Sequence, residues 1–156
     1  EGLGVSQAVG DLYGQYLLAL FMALGRMLGT RFDDKAIGGV VTAGAVLCIC
    51  SYLLIALAPW PWPSLAGCAL CGLAVSVAWP GALCMAAAAM RGAGTALFGL
   101  LALAGDIGCT SGPSWAGIFA ERFGGQLKLG ILCAVVFPVV LLVATLRFRH
   151  AARQRR

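Results

Sequence analysis

The stretch GAGTALFGLLALAGDIGCTSGPSWAGIFA, residues 92–120, decides the fold because it is long, apolar and uncharged except at Asp106. At ~1.5 Å rise per helical residue, Asp106 lies more than about 15 Å from either end of this run, close to a bilayer midplane. Burying an ionisable side chain there costs on the order of 2.5–3.5 kcal/mol, and such residues usually face a protein interior or a water-filled pathway. The stretch therefore predicts a membrane-spanning helix whose single acid serves a solute pathway.

The composition of the whole chain excludes an ordinary soluble domain. Charged residues make up 11% of the chain and the mean hydropathy is +0.93, whereas soluble domains carry roughly 25% charge. Glycine accounts for 22 of the 156 residues. Small residues let helix backbones approach closely in lipid. The composition thus predicts an all-α, multi-spanning bundle of closely packed transmembrane helices.

Four dividers separate five apolar segments. They are a charged turn at 30–35, a proline-rich turn at 59–64, and short charged, glycine-containing links at 91–94 and 121–125. Proline cannot continue a helix, and tryptophans such as those at 60 and 62 suit the membrane interface. Each segment has about 20 residues or more, which is enough to cross a bilayer. The predicted spans are 9–29, 37–58, 65–90, 95–119 and 127–146.

The distribution of lysine and arginine predicts the orientation. Only Arg122 and Lys128 fall on one side of the five spans, and a bias of this kind places the cation-rich side in the cytoplasm. The C-terminus is then cytoplasmic and the N-terminus outside. The basic tail, 147–156, is interpreted as a topology anchor that attracts anionic lipid, and not as a nucleic-acid site. The cations on the cytoplasmic side are Arg26, Arg31, Lys35, Arg91, Arg147, Arg149, Arg153, Arg155 and Arg156.

The seven cysteines do not form a recognisable metal site. Cys68 and Cys71 have the spacing of a redox or zinc motif, but a second ligand pair is missing and the only histidine, His150, lies in the basic tail. Within apolar segments, cysteine behaves as a small packing residue. We therefore expect no metal and no cofactor.

The fourth segment carries a glycine–proline pattern, G-x8-G-x3-G-P, with a further glycine four residues on. The pattern resembles the signature of the fifth helix in antiporters of the major facilitator superfamily, which ends G-P-x2-G-G where this chain has Ala116 before its last glycine. Pro113 removes one backbone donor and predicts a bend in the helix. Glycines used only for close packing are the alternative interpretation. The residues concerned are Gly99, Gly108, Gly112, Pro113 and Gly117.

A second resemblance lies at the end of the first segment. Gly29, Arg31, Asp33 and Lys35 are similar to the superfamily's loop motif between its second and third helices, and to the degenerate repeat between its eighth and ninth. The full motif continues Asp-Arg-x-Gly-Arg, whereas Asp34 stands in place of the first arginine here. In the superfamily this loop acts as a latch between conformations. The alternative interpretation here is a simple charged turn between two spans.

Taken in order, these motifs resemble helices eight to twelve of a bacterial major facilitator permease. The resemblance implies a secondary transporter, not an enzyme, which moves a small solute by alternating access across the bacterial inner membrane. It also implies a partner bundle, and since the chain starts at Glu1 we expect an N-terminal part to be missing. The candidate solute or proton site consists of polar side chains within the spans. They are Asp106, Thr110, Trp79, Ser76, Gln15 and Asp11.

Each candidate has a plainer interpretation, and two other function classes remain. Asp106 can be a carboxyl hydrogen-bonded inside the bundle, Trp79 a packing residue, and Asp11 part of a helix start wetted by interfacial water. A structural or assembly subunit would also use glycine-rich packing, although it needs no acid at the midplane. An intramembrane aspartyl protease is a remote alternative, because its G-x-G-D signature would need glycine where Leu103 stands.

Overall fold

Helices make up nearly all of the part of the chain that the structure describes. The structure is a computed structural model and describes residues 7–29, 36–90, 92 and 94–154. It has no strand within these ranges, so the all-α prediction is confirmed. The loop-motif residues Arg31, Asp33 and Lys35 lie outside the described residues. The helices are α1 (Gln7–Gly29), α2 (Ile37–Leu57), α3 (Pro61–Ala89), α4 (Gly94–Arg122), α5 (Leu127–Ala134) and α6 (Val136–Gln154).

Four of the helical stretches are long and apolar enough to cross a membrane. They are Ile37–Leu57, Trp62–Ala89, Gly94–Arg122 and Leu127–Ala151, the last comprising α5 and most of α6. α1 is also helical over 23 residues, but Gln15 and Arg26 lower its hydropathy and it is not among the four. The chain therefore has the helices of an integral membrane protein, and the fifth span stays a prediction.

Local sequence explains where the helices begin and end. Pro61 opens α3, where a missing N–H costs nothing because the first helical N–H groups have no partner in any case. At the end of α4, Gly125 donates to the carbonyl of Ala120 (2.9 Å) and Gly124 to that of Glu121 (3.2 Å). Gly124 has φ +72°, which favours glycine, so this is a Schellman motif.

The two prolines within the last two spans act differently. Pro138 lies in the first turn of α6, and the helix is interrupted just before it at Val135. α4 runs without interruption through Pro113, although a proline there leaves the carbonyl of Cys109 without its helical donor. The bend predicted at Pro113 stays a prediction, but it does not divide α4 into two helices.

α3 lies at the centre of the first three helices, with α1 and α2 packed against it. Glycines make this close approach possible. A Cβ on Gly72 would collide with the backbone of Leu18 in α1, and one on Gly44 would lie 3.1 Å from the carbonyl oxygen of Ala74. Helix association in lipid depends on such backbone proximity, because there is no hydrophobic driving force between apolar helices.

The interior between α2 and α3 is built from small side chains. Cys48 and Cys71 are buried in contact with Ala74, with Tyr52 beside them. Neither cysteine is in a disulfide, which agrees with their interpretation as packing residues. The buried hydroxyl of Ser51 donates to the carbonyl of Leu47 (2.7 Å), so its burial does not leave a polar group unsatisfied.

α4 lies at the periphery of the chain. It packs mainly on α5, where a Cβ on Gly130 would collide with the carbonyl of Ala116. Trp115 also meets Phe137 of α6 edge-on, with ring centroids 6.2 Å apart. The remainder of α4 is largely uncovered, and this exposed surface carries Asp106.

Two long-range hydrogen bonds define the ends of the bundle. Lys128 at the start of α5 donates to the carbonyl of Ala58, which ends α2 (2.7 Å). At the opposite end, Arg149 of α6 donates to the hydroxyl of Thr42 in the first turns of α2 (2.9 Å). The start of α2 and the late part of α6 therefore share one end, as the predicted alternation of loops requires.

Candidate functional site

Asp106 is exposed on the surface of α4. One position earlier, Gly105 faces α3, and Ala116 and Ala120 face α5. Since consecutive helical residues differ by about 100°, the side chain of Asp106 points to a different side of α4 from Gly105. Within the described residues, no hydrogen bond or ion pair engages its carboxylate.

The hydroxyl groups next to Asp106 pair with the backbone and not with the carboxylate. Thr110 donates to the carbonyl oxygens of Asp106 (3.1 Å) and Ile107 (3.0 Å). Ser114 donates to the carbonyl of Thr110 (2.8 Å). These bonds satisfy polar side chains on an apolar helix. The exposed surface of α4 is thus weakly polar, with one acid near the middle of a helix of 29 residues.

The glycines of the glycine–proline pattern also have open space beside them. A Cβ added at Gly99, Gly108, Gly112 or Gly117 would meet nothing within 4 Å. They therefore make no close contact with another helix of the described residues, and their packing role stays a prediction. Because consecutive helical residues differ by about 100°, Gly99 and Gly117 lie on the same side of α4 as Asp106, whereas Gly108 and Gly112 lie roughly on the opposite side. What we call the open face of α4 consists of Gly99, Asp106, Thr110, Pro113 and Gly117.

Ser76 and Trp79 on α3 are brought together at a cavity. Ser76 is buried against Gly25 of α1, and its hydroxyl donates to the carbonyl of Leu73 (2.6 Å). The six-membered ring of Trp79 lies against Gly105 of α4, where a Cβ would come within 2.8 Å of a ring carbon. Trp79 therefore links α3 to α4 and still leaves 43% of its surface exposed.

The remaining candidates lie in α1. Gln15 is exposed; it lies eleven residues before Arg26, or about 16 Å along the helix at ~1.5 Å per residue. The side chain of Asp11 lies outside the described side chains, so its contribution to a vestibule stays a prediction. The six predicted site residues thus fall into separate groups on α1, α3 and α4.

The cavity itself lies where α1 ends, α2 begins and α3 continues past both. Its volume is 440 Å³, inside the range of roughly 300–1,000 Å³ that is usual for small-molecule sites. Apolar side chains of α2 and α3 form most of its wall, and Arg26 is the only charged residue among the described residues that line it. The lining also includes Gly29, Ile37, Val40, Val41, Ser76, Val77, Trp79, Pro80, Gly81, Leu83 and Cys84.

Sequence reasoning did not identify Arg26 as a site residue and used it only for topology. The available signal was its position, three residues before the end of an apolar segment and inside the helix instead of in the loop. Gly105 was not identified as a site residue either. Its contact with the ring of Trp79 depends on the approach of α3 to α4, which no pattern within α4 reveals.

The described residues contain no group of three or more His, Cys, Asp or Glu side chains that could hold a metal ion. The site features in these ranges are therefore an exposed midspan carboxylate on α4 and an apolar cavity with one guanidinium. Comparison with protein-family models, with curated proteins and with solved structures finds no match.

Proposed function

We propose that this chain is the C-terminal helix bundle of a secondary transporter of the major facilitator type, and that the open face of α4 borders its solute pathway. The single observation that carries the proposal is the placement of Asp106. It lies near the middle of an apolar helix long enough to span a membrane, and it is exposed on the surface of this chain.

An exposed carboxylate at that depth needs a polar environment. If lipid covered the open face, Asp106 would keep a desolvation cost on the order of 2.5–3.5 kcal/mol without a partner in the described residues. A water-filled pathway or a second helix bundle removes this cost. In a two-bundle transporter both occur on the same surface, since the pathway lies between the bundles.

The small residues of the open face support the same proposal. Gly99 and Gly117, about two and three turns from Asp106 on the same side of α4, leave a surface without protruding side chains in line with the acid. Such a surface allows another helix to approach closely, or leaves room for a solute. In this transporter Asp106 binds a solute group or exchanges a proton, and Thr110 lines the same surface one turn away.

The experiment compares Asp106→Asn with Glu121→Gln in the intact permease. Asn keeps the shape of the side chain and removes its charge, so we expect uptake, or its dependence on pH, to change while the amount of protein in the membrane stays normal. Glu121 is the exposed acid at the end of α4 and serves as the control, whose neutralisation leaves uptake unchanged. Normal uptake by Asp106→Asn at every pH tested contradicts the proposal.

A structural or assembly subunit is the second candidate, and the uncovered glycines are the observation that favours it. In that case the open face packs against another protein's helices and carries no solute. The two candidate functions predict different effects of substitutions on this face. Bulky residues at Gly99 or Gly117 disrupt assembly in a subunit, whereas Asp106→Asn has no effect on flux because there is no flux. The acid has a clear use only in the transporter, which we therefore prefer.

A further inference from the structure

The cavity at the end of α1 combines an apolar wall with a cation. Val40 and Val41 of α2 and Val77 and Leu83 of α3 supply apolar lining, and among the described lining residues Arg26 alone is charged. A ligand that matches this lining has an apolar body and one anionic group. A small, strongly polar solute would leave most of its hydrogen-bonding groups unsatisfied there.

Arg26 is suitably placed for such an anion. It lies in the last turn of α1, so in a membrane-embedded bundle it lies near the level of the lipid headgroups. Its side chain is exposed, and within the described ranges no acidic group pairs with it. A guanidinium binds phosphate oxygens through two parallel N–H donors, which a lysine cannot do.

The cavity is also open to the surroundings of the bundle. Trp79 and Cys84 line it and are exposed at the same time, so a molecule can enter between the helices from the side. For a chain with four membrane-length apolar helices, the surroundings at this level are lipid. The apolar body that is most abundant there is an acyl chain.

We propose that this cavity is a binding site for one anionic phospholipid of the bilayer, with its phosphate on Arg26 and an acyl chain against Val40, Val77 and Leu83. The site does not depend on the proposed transport function, because it lies on α1, α2 and α3 and does not include Asp106. It differs from general attraction of acidic lipid to the basic tail in requiring one named guanidinium beside an apolar cavity.

Trp79 provides a local probe of occupancy. The full chain is reconstituted in phosphatidylcholine vesicles with Trp79 as its only tryptophan, after Trp60, Trp62 and Trp115 are replaced by phenylalanine. A minor fraction of the lipid carries brominated acyl chains, on phosphatidylglycerol in one arm and on phosphatidylcholine in the other. Bromine quenches tryptophan fluorescence only at short range. We expect about tenfold preferential quenching by the anionic lipid, in line with a hydrogen bond to a charged group.

Substitutions separate a specific site from surface charge. We expect Arg26→Gln to abolish the preference and Arg26→Lys to reduce it only partly, whereas Arg147→Gln, an exposed cation of α6, leaves it unchanged. Helix content measured by circular dichroism verifies that each variant is folded. Equal quenching by the two lipids in the parent protein overturns the proposal whatever the variants do. Equal loss of preference in Arg26→Gln and Arg147→Gln overturns it in favour of a general surface effect.

Discussion

At the scale of single residues, two glycines of neighbouring helices have opposite surroundings. A Cβ on Gly130 would collide with the backbone carbonyl of Ala116, whereas one on Gly108 would meet nothing within 4 Å. A backbone atom cannot turn aside as a flexible side chain can. Gly130→Ala must therefore push α4 and α5 apart, whereas Gly108→Ala only reduces the backbone freedom of the unfolded chain.

We predict that Gly130→Ala lowers the free energy of unfolding by about 1–3 kcal/mol, the usual cost of overpacking. Gly108→Ala is the matched control and should raise stability by up to about 1 kcal/mol, since alanine is the better helix former. Denaturant titration in detergent micelles, followed by circular dichroism, measures both. A Gly130→Ala protein as stable as the parent would mean that α4 and α5 do not approach at this point.

The glycines show how far the sequence alone can predict such contacts. The excess of glycine correctly predicted close helix packing, which occurs at Gly72, Gly44 and Gly130. The glycine–proline pattern directed attention to Gly108 and Gly112, which pack against nothing in the described chain. A pattern within one helix indicates which side is smooth, but which neighbour covers that side depends on the arrangement of all the helices.

At the scale of helices, the end of α2 is held by a residue from a distant part of the sequence. The ammonium of Lys128 donates to the carbonyl of Ala58 (2.7 Å), at the C-terminus of α2, where the helix dipole attracts cations. The same bond fixes α5 against α2. The sequence analysis placed Lys128 only on the outer side of the membrane, because nothing near Ala58 in the chain indicates the contact.

We predict that Lys128→Gln destabilises the protein by about 1.5 kcal/mol or more, because hydrogen bonds to charged groups contribute roughly 1.5–3 kcal/mol. Lys128 is only half-buried, which favours the lower end of that range. Arg122→Gln removes an exposed cation from the same end of the bundle and should change stability little. Thermal unfolding in micelles measures the difference, and equal stability of the two variants would contradict the capping role.

Helix bounds were the most predictable part of the fold. The apolar segment 37–58 became Ile37–Leu57, and 95–119 became Gly94–Arg122, since charged and proline-rich turns end helices through local chemistry. The interruption at Val135 was not predicted, although Pro138 was visible in the sequence. Its effect depends on whether the freed carbonyl groups find other partners, and this is a property of the three-dimensional surroundings.

At the scale of the whole molecule, the proposed transport function needs more than the surface that this chain supplies. Residues 1–156 supply one wall of the proposed pathway, and the opposite wall belongs to the N-terminal bundle that the resemblance implies. We predict that liposomes containing only this chain show no solute flux above empty liposomes. Co-reconstitution with the complementary bundle should restore it. Flux through the isolated chain would contradict a two-bundle pathway.

The last prediction concerns how the bundle lies across the membrane. The bonds from Lys128 to Ala58 and from Arg149 to Thr42 place the end of α2 beside the start of α5, and the start of α2 beside the late part of α6. Successive loops therefore alternate between two ends of the bundle. The end near Arg149 also holds Arg26, and the end that is richer in lysine and arginine is retained in the cytoplasm.

Reporter fusions after residues 64 and 125 should report outside, and fusions after 35, 91 and 156 should report inside. Exchanging the charge bias, by replacing Arg147, Arg149 and Arg153 with glutamine and adding lysines at 124 and 125, should weaken this orientation. Two consecutive loops on the same side would contradict both the charge argument and the contacts between the helix ends.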